Sequence, residues 1–69
     1  MQYNKEKLAE DVMIYRAIHN LNQKEFAEKC NVSRETINLV EAKTANLRSV
    51  SYYKIMNVIE GSNNESKQS

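Results

Sequence analysis

Apolar residues return along this chain at helical intervals, in separate stretches divided by short polar runs. Leu8, Val12, Tyr15 and His19 recur every three or four residues, which places them on one face of a helix. Asn4 stands ahead of them, and its short side chain can accept a hydrogen bond from an orphan amide of the first turn. Asn20 follows them, and asparagine tolerates the left-handed conformation in which helices commonly end. Together these signals predict a first helix over about residues 5–19.

The next stretch opens at Asn22, with Glu25 three positions on, the spacing of a capping box. Phe26, Ala27 and Cys30 give this short helix an apolar face, and Asn31 is placed to end it. Ser33 then caps a third helix whose inward stripe is Thr36, Ile37 and Val40. Two short helices joined by a three-residue turn make a helix-turn-helix. The polar stretch from Lys43 to Ser49 reads as a loop. Val50 to Ile59 brings Tyr52, Tyr53, Ile55, Met56 and Ile59, a helical pattern that would close the core, with Gly61 as its stop. The prediction is an all-α bundle of four to five short helices, one domain over residues 1–60, followed by a disordered tail over 61–69.

Composition narrows this further. The chain has 69 residues, one glycine and no proline, so its turns must rely on asparagine and serine. One cysteine, Cys30, cannot form an internal disulfide. The first seven residues carry no apolar leader region, and no apolar run approaches spanning length, so a cytoplasmic protein without a membrane partner is expected. The net charge is only +1, small for a nucleic-acid binder. It is unevenly spread: residues 1–31 balance five cations against five anions, whereas 32–59 hold Arg34, Lys43, Arg48 and Lys54 against Glu35 and Glu41.

The run from Gln23 to Glu41 carries a more specific signal. Gln23 opens the second helix, Phe26 and Ala27 follow, and the turn comes next. Val32 and Ser33 then precede a Thr36-Ile37 step, and Glu41 closes the third helix, while Arg16 stands seven positions ahead of Gln23. In this order the segment resembles the lambda-repressor and Cro-type helix-turn-helix family, the xenobiotic-response-element-type regulators, over roughly residues 8–59. The resemblance implies a structural pair between Arg16 and Glu41. Four positions depart from the family pattern: Asn31 and Lys43 replace glycines, Leu47 replaces a proline, and Leu39 is apolar where a polar residue is usual.

On a helix advancing about 100° per residue, setting Arg34 at 0° puts Asn38 near 40° and Glu35 near 100°. Ile37 and Val40, at about 300° and 240°, face the core instead. Arg34, Glu35 and Asn38 thus share an outward face near the helix N-terminus, the part of the motif that meets base edges in the major groove. Arginine can fork onto guanine, asparagine can pair with adenine, and a carboxylate can accept from cytosine. Asn22, Gln23 and Ser33, at helix N-termini, are candidates for phosphate contacts. Lys43, Thr44, Asn46 and Arg48 are candidates for the other flank.

Each of these residues also has a plainer reading. Polar side chains on a helix surface ordinarily do no more than hold solvent, and only the motif gives Arg34 and Asn38 a second role. His19 reads as a surface residue at a helix end. Cys30 reads as a buried, inert thiol, and helical spacing makes at least one of Tyr52 and Tyr53 a core residue.

The expected function is sequence-specific DNA binding by a small regulator, a repressor of the phage or mobile-element kind, reading a double-stranded operator with residues 34–41, with a homodimer on DNA as the expected arrangement. The alternative is a protein-binding module of the same fold that acts on another regulator, as an antirepressor or antitoxin would. The near-neutral charge favours it, as do Leu39 and an extra apolar set, Met13, Ile14 and Ile18, a possible protein interface. An enzyme is not expected. The sequence offers no nucleophile–base pair, metal-ligand cluster or phosphate-cradling glycine loop, and no cofactor or metal is anticipated.

Overall fold

The computed structural model describes the backbone of residues 2–68 and the side chains of residues 2–61. Four helices follow in order: α1 (Lys5–His19), α2 (Gln23–Cys30), α3 (Arg34–Glu41) and α4 (Ser49–Gln68). They form an all-α bundle, with no strand among the described residues. No described helix is long and apolar enough to cross a membrane.

Capping explains where the first three helices begin. Asn4 accepts from the Lys7 amide, Asn22 from the Glu25 amide and Ser33 from the Thr36 amide. Glu25 reaches back to the Asn22 amide at 2.9 Å, which completes a capping box.

The ends of these helices share one hydrogen-bond pattern. Asn20, Asn31 and Lys43 each take a left-handed φ, of 56°, 62° and 66°. At each, that residue and the next donate back to two carbonyls of the last turn: Asn20 to Ala17 and Leu21 to Arg16, Asn31 to Glu28 and Val32 to Ala27, Lys43 to Val40 and Thr44 to Leu39. This is the Schellman arrangement, which satisfies carbonyls a helix would otherwise leave orphaned. Asparagine fits the first two positions. Lys43 has a Cβ that the left-handed region penalises by about 1–2 kcal/mol. The exit from α3 keeps a glycine-like backbone although its residue is a lysine.

α4 departs from its predicted length. Its backbone passes through Gly61, where the sequence predicts a stop, and continues to Gln68. Gly61 has no positive φ, so it does not act as a left-handed terminator. A glycine inside a helix weakens it by about 1 kcal/mol relative to alanine without ending it. The side chains of residues 62–69, on which most of the expected disordered tail falls, lie outside the described residues.

The core collects side chains from all four helices. Val12 of α1, Phe26 of α2, Ile37 and Val40 of α3 and Ile55 of α4 are its largest fully buried members. Each contributes about 1.5–3 kcal/mol of apolar burial. Ala27, 2% exposed, lies beside them in α2, where a larger side chain would have to displace packed neighbours. Tyr15 packs on Phe26 with ring centroids 5.5 Å apart. Tyr52 and Met56 are half-buried against this cluster, whereas Tyr53 is exposed. Ala45, in the loop before α4, is buried too. It is the one described loop residue that belongs fully to the core, and an isolated alanine in a polar run gives no periodic signal.

Candidate nucleic-acid interface

Glu41, the last residue of α3, organises the frame that presents the site. One carboxylate oxygen accepts from Arg16 Nη1 at 2.6 Å and the other from Gln23 Nε2 at 3.0 Å. Arg16 also donates through Nε to the Leu21 carbonyl at 3.1 Å. Both charged side chains are largely shielded from water, so losing one partner would cost more than the pair itself contributes. The result joins α1, α2 and α3 at one end of α3 and fixes the direction in which its other end points.

At that other end, Ser33 turns its hydroxyl inward to the Thr36 amide and hydroxyl. Arg34, Glu35 and Asn38 are exposed on the outer face. Among the described residues the Arg34 side chain makes no ion pair or hydrogen bond, not even with its neighbour Glu35. Arg34 and Asn38 thus leave donors and acceptors open to an outside partner. Leu39 is 41% exposed beside them.

The proposed phosphate-contacting residues fall into two groups. Asn22 and Gln23 sit at the start of α2 with Ser33 at the start of α3, but their side chains already have internal partners. The Asn22 oxygen holds the Glu25 amide, and the Gln23 amide nitrogen holds Glu41. What these helix starts still offer is their first-turn backbone amides, the groups that anions meet at helix N-termini. The second group lies on the loop from Ala42 to Arg48. Lys43, Thr44, Asn46 and Arg48 are all exposed.

Two residues of this region carry no motif signal. Tyr3 donates its hydroxyl proton to the Ala45 carbonyl at 2.8 Å and accepts from the Leu47 amide at 3.3 Å. Its ring rests against Tyr52, centroids 5.2 Å apart. The loop bearing Lys43, Thr44, Asn46 and Arg48 is therefore held from the N-terminal segment. Lys5 also reaches this loop, donating to Asn46 Oδ1 at 3.0 Å. A tyrosine just before a first helix has many possible partners, so only the three-dimensional arrangement reveals this one.

The apolar set on α1 lies elsewhere. Met13, Ile14 and Ile18 of α1 are exposed, Ile18 at 72%. His19 is exposed and stacks on Tyr15 at 4.1 Å between centroids. Cys30 is buried, and burial pushes its thiol up to about 12, with nearby Lys29 opposing the shift. A thiol in that state is no nucleophile near neutral pH. Among the described residues no cluster of side chains could hold a metal ion.

A family model for the helix-turn-helix matches residues 12–61, from the middle of α1 into α4. No curated protein and no solved structure matches the chain.

Proposed function

Because the chain belongs to the helix-turn-helix family, whose members are in general DNA-binding modules without catalytic activity, we propose that it is a sequence-specific transcriptional regulator, a small repressor of the phage or mobile-element kind. The observation that carries this reading is the pair Arg34 and Asn38 on the outer face of α3, exposed and with side chains that have no internal partner among the described residues. In the major groove Arg34 forks onto guanine, Asn38 pairs with adenine, and Glu35 accepts from cytosine. The starts of α2 and α3, around Asn22, Gln23 and Ser33, meet one stretch of phosphates through the first-turn amides that the caps leave free. Lys43, Thr44, Asn46 and Arg48 meet the other. Two copies on a two-fold operator would place two such helices about one helical turn apart.

Fluorescence anisotropy on the DNA flanking the gene, with a scrambled duplex as control, tests this reading. Selective binding that weakens steeply with salt is expected. The double substitution Arg34→Ala and Asn38→Ala should remove the selectivity while leaving stability within about 0.5 kcal/mol per site. Exposed Leu39, Met13, Ile14 and Ile18 support a second reading, in which the same fold docks onto another regulator. Absence of binding at low salt would sink the DNA reading and leave that one standing.

A further inference from the structure

Lys5 stands in a place that local preferences disfavour. It is the first residue of α1, where the positive end of the helix dipole repels a cation. Among the described residues no carboxylate comes within ion-pairing distance of it, in contrast to Lys7 with Asp11 and Arg16 with Glu41. A second lysine lies along the same edge: Lys5 and Lys43 both border the seam between the start of α1 and the end of α3, beside Tyr3 and Ala45, a seam too narrow to admit water. Among the described residues the Lys5 ammonium has one polar partner, the side-chain oxygen of Asn46. Two cations without a counter-ion among the described residues, an exposed amide and a loop fastened by Tyr3 thus lie along one edge of the protein.

We propose that Lys5 contacts a DNA phosphate together with Lys43 and Asn46, so that the N-terminal segment is part of the DNA-binding surface. This rests on the DNA-binding reading above and adds to it a residue from outside the helix-turn-helix. A phosphate along this edge would supply the counter-ion that the described residues do not. Asn46, which accepts from Lys5 through Oδ1, has its amide hydrogens left to donate to the same anion. A contact of this kind adds affinity for any duplex and carries no sequence information.

The test is the salt dependence of anisotropy titrations with Lys5→Gln, Lys5→Arg and Lys7→Gln. Lys7→Gln removes the same charge from the opposite side of α1 and is the control. Each phosphate neutralised contributes about 0.9 to the slope of log affinity against log salt. Lys5→Gln should lower that slope by about 0.9, weaken specific and scrambled duplexes by the same factor, and leave the melting temperature unchanged or slightly raised. Lys5→Arg should restore the slope, and Lys7→Gln should leave it unaltered. An unchanged slope in Lys5→Gln overturns the proposal, as does an equal drop in Lys7→Gln. Lower affinity at constant slope in both Lys5 variants would show that Lys5 only holds Asn46 in place. If the parent protein binds no duplex at all, the DNA reading fails before any substitution is compared, and the two failures are distinct.

Discussion

The turn that leads into α3 takes three residues, Asn31 to Ser33, while the loop that leaves it takes seven, Ala42 to Arg48. Each has a left-handed residue at or next to its start, Asn31 in the turn and Lys43 in the loop, with the same pair of backbone hydrogen bonds. The turn is complete within itself: Asn31 suits its backbone, Val32 packs on the core and Ser33 caps the next helix. The loop is not. Lys43 occupies its left-handed position under strain, and two hydrogen bonds from Tyr3 hold its middle. A turn that must only redirect the chain can be built from neighbours. A loop whose polar positions Lys43, Thr44, Asn46 and Arg48 all face outward has little local packing of its own, and its support comes from a distant residue.

The sharpest way to break this comparison lies in the packing that the turn serves. Ala27→Leu overpacks the contact between α2 and its neighbours, and Ile37→Asp buries a charge; each should destabilise by several kcal/mol or prevent folding. Circular-dichroism melting checks this, and parent-like melting in both variants would refute the packing described.

Cys30, at the end of α2 beside the turn, gives a pH-dependent version of the same test. Its folded pKa is raised from 9.0 to about 12 by burial, so folding favours the protonated thiol. That stabilisation is fully present below about 9 and is lost as pH rises towards 12, because the unfolded chain ionises first. Between these limits the parent should lose on the order of 1 kcal/mol per pH unit relative to Cys30→Ala, read from urea unfolding at each pH. Parallel pH profiles would refute a buried Cys30.

Tyr3→Phe addresses the loop. It keeps the ring against Tyr52 and removes both hydrogen bonds, which should cost about 1–2 kcal/mol. Hydrogen exchange should quicken at the Leu47 amide and stay unchanged at the Val32 amide in the turn. Equal change at both amides would erase the distinction drawn here.

The smallest expected effect separates the two left-handed residues. Lys43→Gly should stabilise by up to about 1 kcal/mol, since glycine removes the strained Cβ. Asn31→Gly should fall within a few tenths of a kcal/mol, because asparagine already suits that conformation. A gain from Lys43→Gly accompanied by weaker DNA binding would mean that the strain is retained for the sake of the cation.

The same division decided what could be read from the sequence. Helices α1, α2 and α3 were legible because Asn4, Asn22 and Ser33 cap them, Asn20 and Asn31 close them, and the apolar spacing between is helical. All of this is local chemistry within a few residues. The outward face at Arg34, Glu35 and Asn38 followed from helix geometry alone. The loop was legible only as polar. Neither the burial of Ala45 nor the reach of Tyr3 and Lys5 to its backbone and to Asn46 has a pattern in one dimension, since each depends on how α1 sits against α3. For a related reason α4 runs past the stop that Gly61 predicts. Gly61 is an effective terminator only where the backbone turns left-handed, and here it stays within the helix.

The Tyr3 tether also bears on the order in which the molecule assembles. Its two hydrogen bonds join residues 42 and 44 positions apart, whereas the turn between α2 and α3 closes over a handful of neighbours. Contacts between distant positions must wait until the intervening chain is compact, since the entropy of closing that loop has to be met first. The helix-turn-helix can therefore form early, with the Lys43–Arg48 segment secured among the last. The chain contains no proline, so no slow prolyl isomerisation should obscure this sequence of events. In refolding experiments Tyr3→Phe should then act almost wholly on the unfolding rate, the mark of a contact absent from the transition state.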